Sequence, residues 1–200
     1  MATILQSLAH VSPEARTLRD IRCDDCNLAI WERAPVEGME RLLEGDPADL
    51  RFVTTPLKLA DHMRSEMAAS GYAKGPEQAR LIEDATDLAE MFCSIIDSHE
   101  LGVRLEIVTT DSCKKFHADY VLARLITTYV GDGTQWLEQP DADRLAQGLE
   151  PERINQMSAG DIGIFKGKQG TSQPAIHRSP PIGDSGQKRL LLVFNHAPPS

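Results

Sequence analysis

Residues Cys113–Thr134, CKKFHADYVLARLITTYVGDGT, carry the clearest chemical pattern in the chain. The segment from 116 to 129 is rich in Val, Ile, Thr and Tyr and reads as a β-strand. Side chains alternate along a strand, so positions 117, 119, 121, 123 and 125 share one face. His117 and Asp119 would then point the same way, followed by Val121, Ala123 and Leu125. The GDG turn at 131–133 closes the segment, its glycines permitting positive φ.

Working outward, the hydrophobic period is two on both sides of this stretch. Val103, Leu105 and Ile107 alternate with Arg104 and Glu106. Short extended runs follow at Gln135–Leu137, Ile162–Lys166, Ala175–Arg178 and Arg189–Asn195. Between them, 140–150 reads as a loop or short helix and GKQGTSQP as a flexible loop. Before residue 100 the period is helical. Pro35 opens a helix through Leu43, and 57–70 places Ala60, Met63 and Met67 on one face. Residues 76–99 repeat Leu81, Ala85, Leu88, Phe92, Ile95 and His99 in one stripe. Leu28–Trp31 and Arg51–Thr54 are short and extended. The expectation is an α+β chain forming one domain over 1–200. Residues 1–100 would be mainly a helical layer and 101–196 a β-barrel core.

The composition, 41% hydrophobic and 26% charged over 200 residues, suits a globular chain. A formal charge of −9 argues against a nucleic-acid partner, which needs a concentrated basic surface. No apolar run reaches the roughly 18 residues of a membrane helix, so no membrane partner is expected. The first residues lack the pattern of a signal peptide, and four Cys make no secreted disulfide scaffold. The cytoplasm is the expected location.

His-x-Asp supplies two ligands of the kind that iron(II) oxygenases use. Their centres take two His and one carboxylate on one side of the metal and leave the other side open. His177, in AIHRSPP, supplies the third candidate ligand. Lys188 and Arg189 then open the last strand, where a carboxylate co-substrate needs a cation. Arg pairs bidentately with carboxylates, so Arg189 ranks before Lys188.

The order FHAD, GT, GDIGIF, AIHRSPP and KRLLLVF resembles the Fe(II)/2-oxoglutarate dioxygenases, the prolyl-hydroxylase-like group above all. The resemblance implies a double-stranded β-helix, the jelly-roll or cupin-like barrel. It implies His117, Asp119 and His177 as iron ligands and Arg189 as the anchor of 2-oxoglutarate, with Tyr129 or Arg124 assisting. The substrate would be an unidentified small molecule or protein, which the chain hydroxylates. Over nearly its whole length the chain is also similar to a bacterial family of unknown function of about this length. Members of that family are often encoded beside zinc-responsive, metal-handling GTPases. That likeness implies an alternative, a non-catalytic metal-binding accessory protein holding Zn(II).

Cys113, four residues before His117, is a possible further zinc ligand, although such a Cys is more often a buried small hydrophobe. Cys23-x-x-Cys26 lacks a second pair to complete a zinc site and a thioredoxin-like context for redox work. Arg178 would reach a substrate acid or form a surface ion pair. Trp136 would pack.

Overall fold

The computed structural model describes residues 7–111, 113–183 and 185–196. In chain order the elements are β1 (Ala9–Ser12), β2 (Leu28–Trp31), β3 (Leu50–Thr54), α1 (Pro56–Ala69), α2 (Pro76–Ile96), β4 (Leu101–Val108), β5 (Ala123–Val130), β6 (Gln135–Trp136), α3 (Gln139–Ala146), β7 (Asn155–Gln156), β8 (Ile162–Lys166), β9 (His177–Arg178) and β10 (Arg189–His196). Single 3₁₀ segments cover Ala15–Arg22 and Met39–Leu43. The result is a mixed α+β architecture built on a large sheet.

That sheet has seven strands in the order β1-β2-β8-β5-β10-β4-β3. Only the β1–β2 pair is parallel. The two faces of the sheet do different work. Leu101, Val103 and Leu105, Ala123 and Leu125, Ile162 and Ile164, and Leu190, Leu192 and Phe194 pack under α1 and α2. Leu81, Ala85, Leu88, Phe92 and Ile95 form the buried stripe of α2 that meets them. The opposite face carries Leu28, Ile30, Ile126, Phe165, Leu191 and Val193. These pack against Trp136, Met157 and Ala175, which belong to or flank the small sheet β7-β6-β9.

Several sequence expectations need correction. The N-terminal half is not a helical layer alone, because it gives β1, β2 and β3 to the large sheet. Leu28–Trp31 has almost no polar alternation because both of its faces are covered, which is why it reads weakly as a strand. The helix expected from Pro35 shrinks to the 3₁₀ turn at Met39–Leu43. The long helix stops at Ile96, where Asp97 takes a left-handed conformation and Ser98 N–H closes on Cys93 O. His99 therefore lies beyond the helix. The strand expected from residue 116 begins only at Ala123. Among the described residues no helix is long and apolar enough to cross a membrane.

On the helical side, Arg33 is bidentate to Asp84 of α2, at 2.5 and 2.8 Å, and also donates to Gly160 O. The Tyr129 hydroxyl donates to the same carboxylate at 2.6 Å. Burial and that carboxylate push the Tyr129 phenol well above its ordinary range, so it remains a donor. Removing the carboxylate leaves a largely buried guanidinium without its counter-ion. Asp84→Ala should cost about 3–5 kcal/mol of folding stability. Urea denaturation would show this as a lowered midpoint, while the folded fraction keeps any metal binding of the wild type.

Candidate metal centre

His177 sits on β9 opposite Trp136, on the inner face of the small sheet. It is 4% exposed, and its ring lies 4.7 Å from that of Phe165. His117 is paired to it through backbone bonds in both directions, each 2.9 Å, so it adds one rung beyond β9. The two imidazoles lie 4.9 Å apart. His117 Nδ1 faces Lys115 O at 2.8 Å, and His177 Nδ1 faces Ala175 O at 3.1 Å. A carbonyl oxygen only accepts, so each Nδ1 carries a proton and each Nε2 is left for Asp119 or for a metal. Both Nε2 atoms turn to Asp119: His177 is 3.2 Å from Oδ2 and His117 is 3.7 Å from Oδ1.

The ligand atoms of His117, Asp119 and His177 all lie within 4.8 Å of one another. Two imidazole nitrogens and one carboxylate are a suitable donor set for a divalent transition metal. Asp119 Oδ2 is buried and receives no well-directed hydrogen bond. Arg124 NH1 comes within 2.6 Å of it as an ion pair. Burial alone would raise the Asp119 carboxyl, but His177, Arg124 and His117 outweigh it and hold it below the ordinary range. The carboxylate is thus ionised and ready to ligate.

The alternation expected for this stretch was misplaced. Ala123 and Leu125 face the helices. A continued strand would have sent His117 and Asp119 to that same side. Instead the chain leaves the ladder before Ala123 and returns the ligands to the face of Arg124. The Arg124 side chain also donates to Asn195 at 2.7 Å. Tyr129 has the parity of Leu125 and is a second correction: it belongs to the helical side and does not reach the metal centre.

Arg189 is 0% exposed. Its Nε donates to Asp132 O at 2.6 Å, NH1 to Ser179 Oγ at 3.1 Å and NH2 to Thr128 Oγ1 at 3.3 Å. All three partners are neutral, and among the described residues no carboxylate pairs with it. Burial pulls its pKa down to about 10, with Asp132 offsetting only part. The GDGT turn wraps this side chain. Gly131, at φ +82°, packs so closely that a Cβ there would come within 2.8 Å of Arg189 Cγ.

Lys188 instead reaches outward, 3.3 Å from Asp46. Cys113 is exposed and has φ 59°; its carbonyl accepts from Ser179 N, and its sulfur is not grouped with the three ligands. Among the described residues Arg178 makes no ion pair. It pairs with Gln135 at 2.8 Å and lies over the Phe116 ring, on the strand parity opposite to His177. Cys26 is buried, which pushes its thiol up to about 11, so it is unreactive. Thr128, Ser179 and Asn195 were not singled out in the sequence. A cavity of about 260 Å³ is lined by His117, His177, Arg124, Thr134, Ser179, Arg104 and Glu106, among others.

A family described as protein of unknown function (DUF1826) matches residues 12–195. The chain belongs to that family. No curated protein sequence matches it. Among solved structures, the chain is similar to the dioxygenase for auxin oxidation 1 of Arabidopsis thaliana in its 2-oxoglutarate complex. The TM-score is 0.51 at 10% identity, over 84% of this chain and 67% of that one. A Pseudomonas putida prolyl-4-hydroxylase matches at TM-score 0.47 and 13% identity, over 92% and 99% of the two chains. HygX of Streptomyces hygroscopicus, with nickel and 2-oxoglutarate bound, matches at 0.48 and 13%, over 92% and 87%. This DUF1826 chain therefore has a fold similar to that of a 2-oxoglutarate dioxygenase, as the sequence resemblance implied.

Loss of one imidazole leaves two ligands, too few to hold a divalent ion tightly. His177→Ala should lower Mn(II) or Co(II) affinity by at least about 100-fold, the upper end of what loss of a mere outer-shell partner costs. Calorimetric titration of the purified protein measures it.

Proposed function

We propose that this DUF1826 chain is an Fe(II)- and 2-oxoglutarate-dependent oxygenase that hydroxylates a small molecule or protein. The observation that carries the reading is a pairing within one cavity. His117 and His177 of the two-His-one-carboxylate group lie on one wall. Ser179, which accepts from the buried Arg189, lines the same space, and among the described residues no carboxylate contacts that guanidinium, Asp132 acting on it only from a distance. A buried cation with only neutral partners is costly unless an anion joins it. Its planar fork matches a carboxylate. In this reading the large and small sheets are the two walls of a double-stranded β-helix.

His117, Asp119 and His177 would hold the metal, with Nε2 lone pairs set by the Lys115 and Ala175 carbonyls. Bound iron with 2-oxoglutarate supplies oxidative decarboxylation of the co-substrate coupled to hydroxylation. Arg189 would bind the far carboxylate, helped by Thr128 and Ser179, which keep its fork fixed. Arg124 neutralises Asp119 from the sheet side. Phe165 and Trp136 close the apolar flank and exclude water there.

The test is co-substrate binding and turnover by the iron-loaded protein. Succinate should form from 2-oxoglutarate under air. Arg189→Met should weaken 2-oxoglutarate binding by roughly 30- to 150-fold, the equivalent of about 2–3 kcal/mol for a charged carboxylate contact, with metal affinity unchanged. Stoichiometric zinc without any 2-oxoglutarate binding would overturn the oxygenase and favour the metal-binding accessory protein.

A further inference from the structure

The GKQG segment, Gly167–Gly170, follows β8 and was expected to be a flexible loop. It lies instead against the ligand-bearing residues 119–122. Lys168 N–H donates to Asp119 O at 2.8 Å, Gln169 N–H to Val121 O at 3.1 Å and Gly167 N–H to Leu122 O at 3.1 Å. The approach is closer than any side chain permits. A Cβ on Gly167 would overlap Val121 O and lie 2.8 Å from Asp119 O. One on Gly170 would overlap Leu122 O. In both cases the obstacle is backbone, which cannot swing aside.

The turn is itself braced from behind. Lys166 N–H donates to Asn27 O, Asn27 Nδ2 donates to Gln173 O, and Lys166 Nζ donates to Cys23 O at 2.6 Å. This is a structural part for the CDDCN stretch, whose Cys-x-x-Cys spacing otherwise has no chemistry here. A continuous chain of contacts runs from Asn27 through the GKQG turn to the main chain of Asp119.

We infer that the GKQG turn is a backbone clamp that sets Asp119, and that Gly167 and Gly170 are positioning residues of the metal centre. The reason is geometric. Asp119 lies between the His117–His177 bridge and β5, and no strand of either sheet pairs with it. The Gly167 bond extends the β5–β8 register by one rung, and the N–H groups of Lys168 and Gln169 take the place of ladder bonds at Asp119 and Val121. The inference rests on the three residues binding a metal, and is independent of the co-substrate and of the reaction.

Two measurements test it. The first compares Mn(II) affinity across glycine variants by calorimetry. Gly167→Ala and Gly170→Ala should each lose at least tenfold. Gly75→Ala, whose Cβ would meet only the Glu77 side chain, should stay within twofold of wild type. The second uses the unaltered protein and so survives a variant that fails to fold. Coupling is reciprocal: if the clamp fixes the ligand loop, metal must tighten the clamp. Mn(II) should therefore slow amide exchange at Lys168 and Gln169, which are not ligands, and leave Ile164 in the sheet unchanged. Wild-type metal affinity in both glycine variants, or amide exchange at 168 and 169 indifferent to metal, would overturn the clamp. A wild-type protein that binds no Mn(II) would instead overturn the metal centre itself, and the clamp with it.

Discussion

Two imidazole nitrogens and a carboxylate turned toward one point need a positive charge among them, whether a proton or a metal ion. The arrangement at His117, Asp119 and His177 is of this kind, and much of the neighbouring structure can be traced to it. The carbonyls of Lys115 and Ala175 fix both rings with Nε2 inward. Arg124 stands beside Asp119 and supplies positive charge from the sheet side. It is itself desolvated, which draws its pKa down, while Asp119 offsets part of that cost. Arg124 and His177 both meet Oδ2 of Asp119, whereas Oδ1 faces His117.

Arg189 poses the complementary problem. Here a cation is buried with neutral partners, about 60 positions from most of them in sequence yet packed around one guanidinium. The GDGT turn explains how the chain tolerates this. Gly131 lets the backbone close on the side chain, and Asp132 O accepts from Nε. The sequence had marked GDGT as a turn and Arg189 as a carboxylate partner, without linking them. The structure joins the two, and the turn is the cradle of the cation.

The hydrophobic period told the layering well. The helices at 56–69 and 76–96 and the strands at 101–108, 162–166 and 189–196 were legible because each buries one clear stripe or face. The three candidate ligands were also legible, as residue types in a recognisable order. What alternation could not reveal was which side of the sheet they occupy. Parity counting from Ala123 back to His117 assumes an unbroken strand, and the break lies in backbone bonds to residues 167–169 that no side-chain pattern encodes. The family resemblance named Tyr129 beside the metal, whereas its side chain packs on the helical side. The bulge between Leu190 and Leu191, where the register skips Tyr129, is likewise silent in sequence. The early strands β1 and β2 were faint because one is four residues at an edge and the other is buried on both faces.

The three ligands are not held alike, and the difference sets the direction of access. His177 is enclosed, with Phe165 against its ring. The side chain of Asp119 is 13% exposed and its main chain is bonded to the GKQG turn. The His117 side chain, by contrast, is 38% exposed. The cavity beside it is walled by Arg104, Glu106 and residues 107–110, the end of β4 and the segment that follows. Arg104 and Glu106 are already paired, so this wall is polar without a large net charge. Solvent, metal and any ligand thus reach the centre past His117 from the β4 side. Arg189 lies behind the Ser179 wall, deeper than the ligands. On the proposed reading, a dicarboxylate would reach Arg189 past Ser179, and the β4 side would be left for a second molecule.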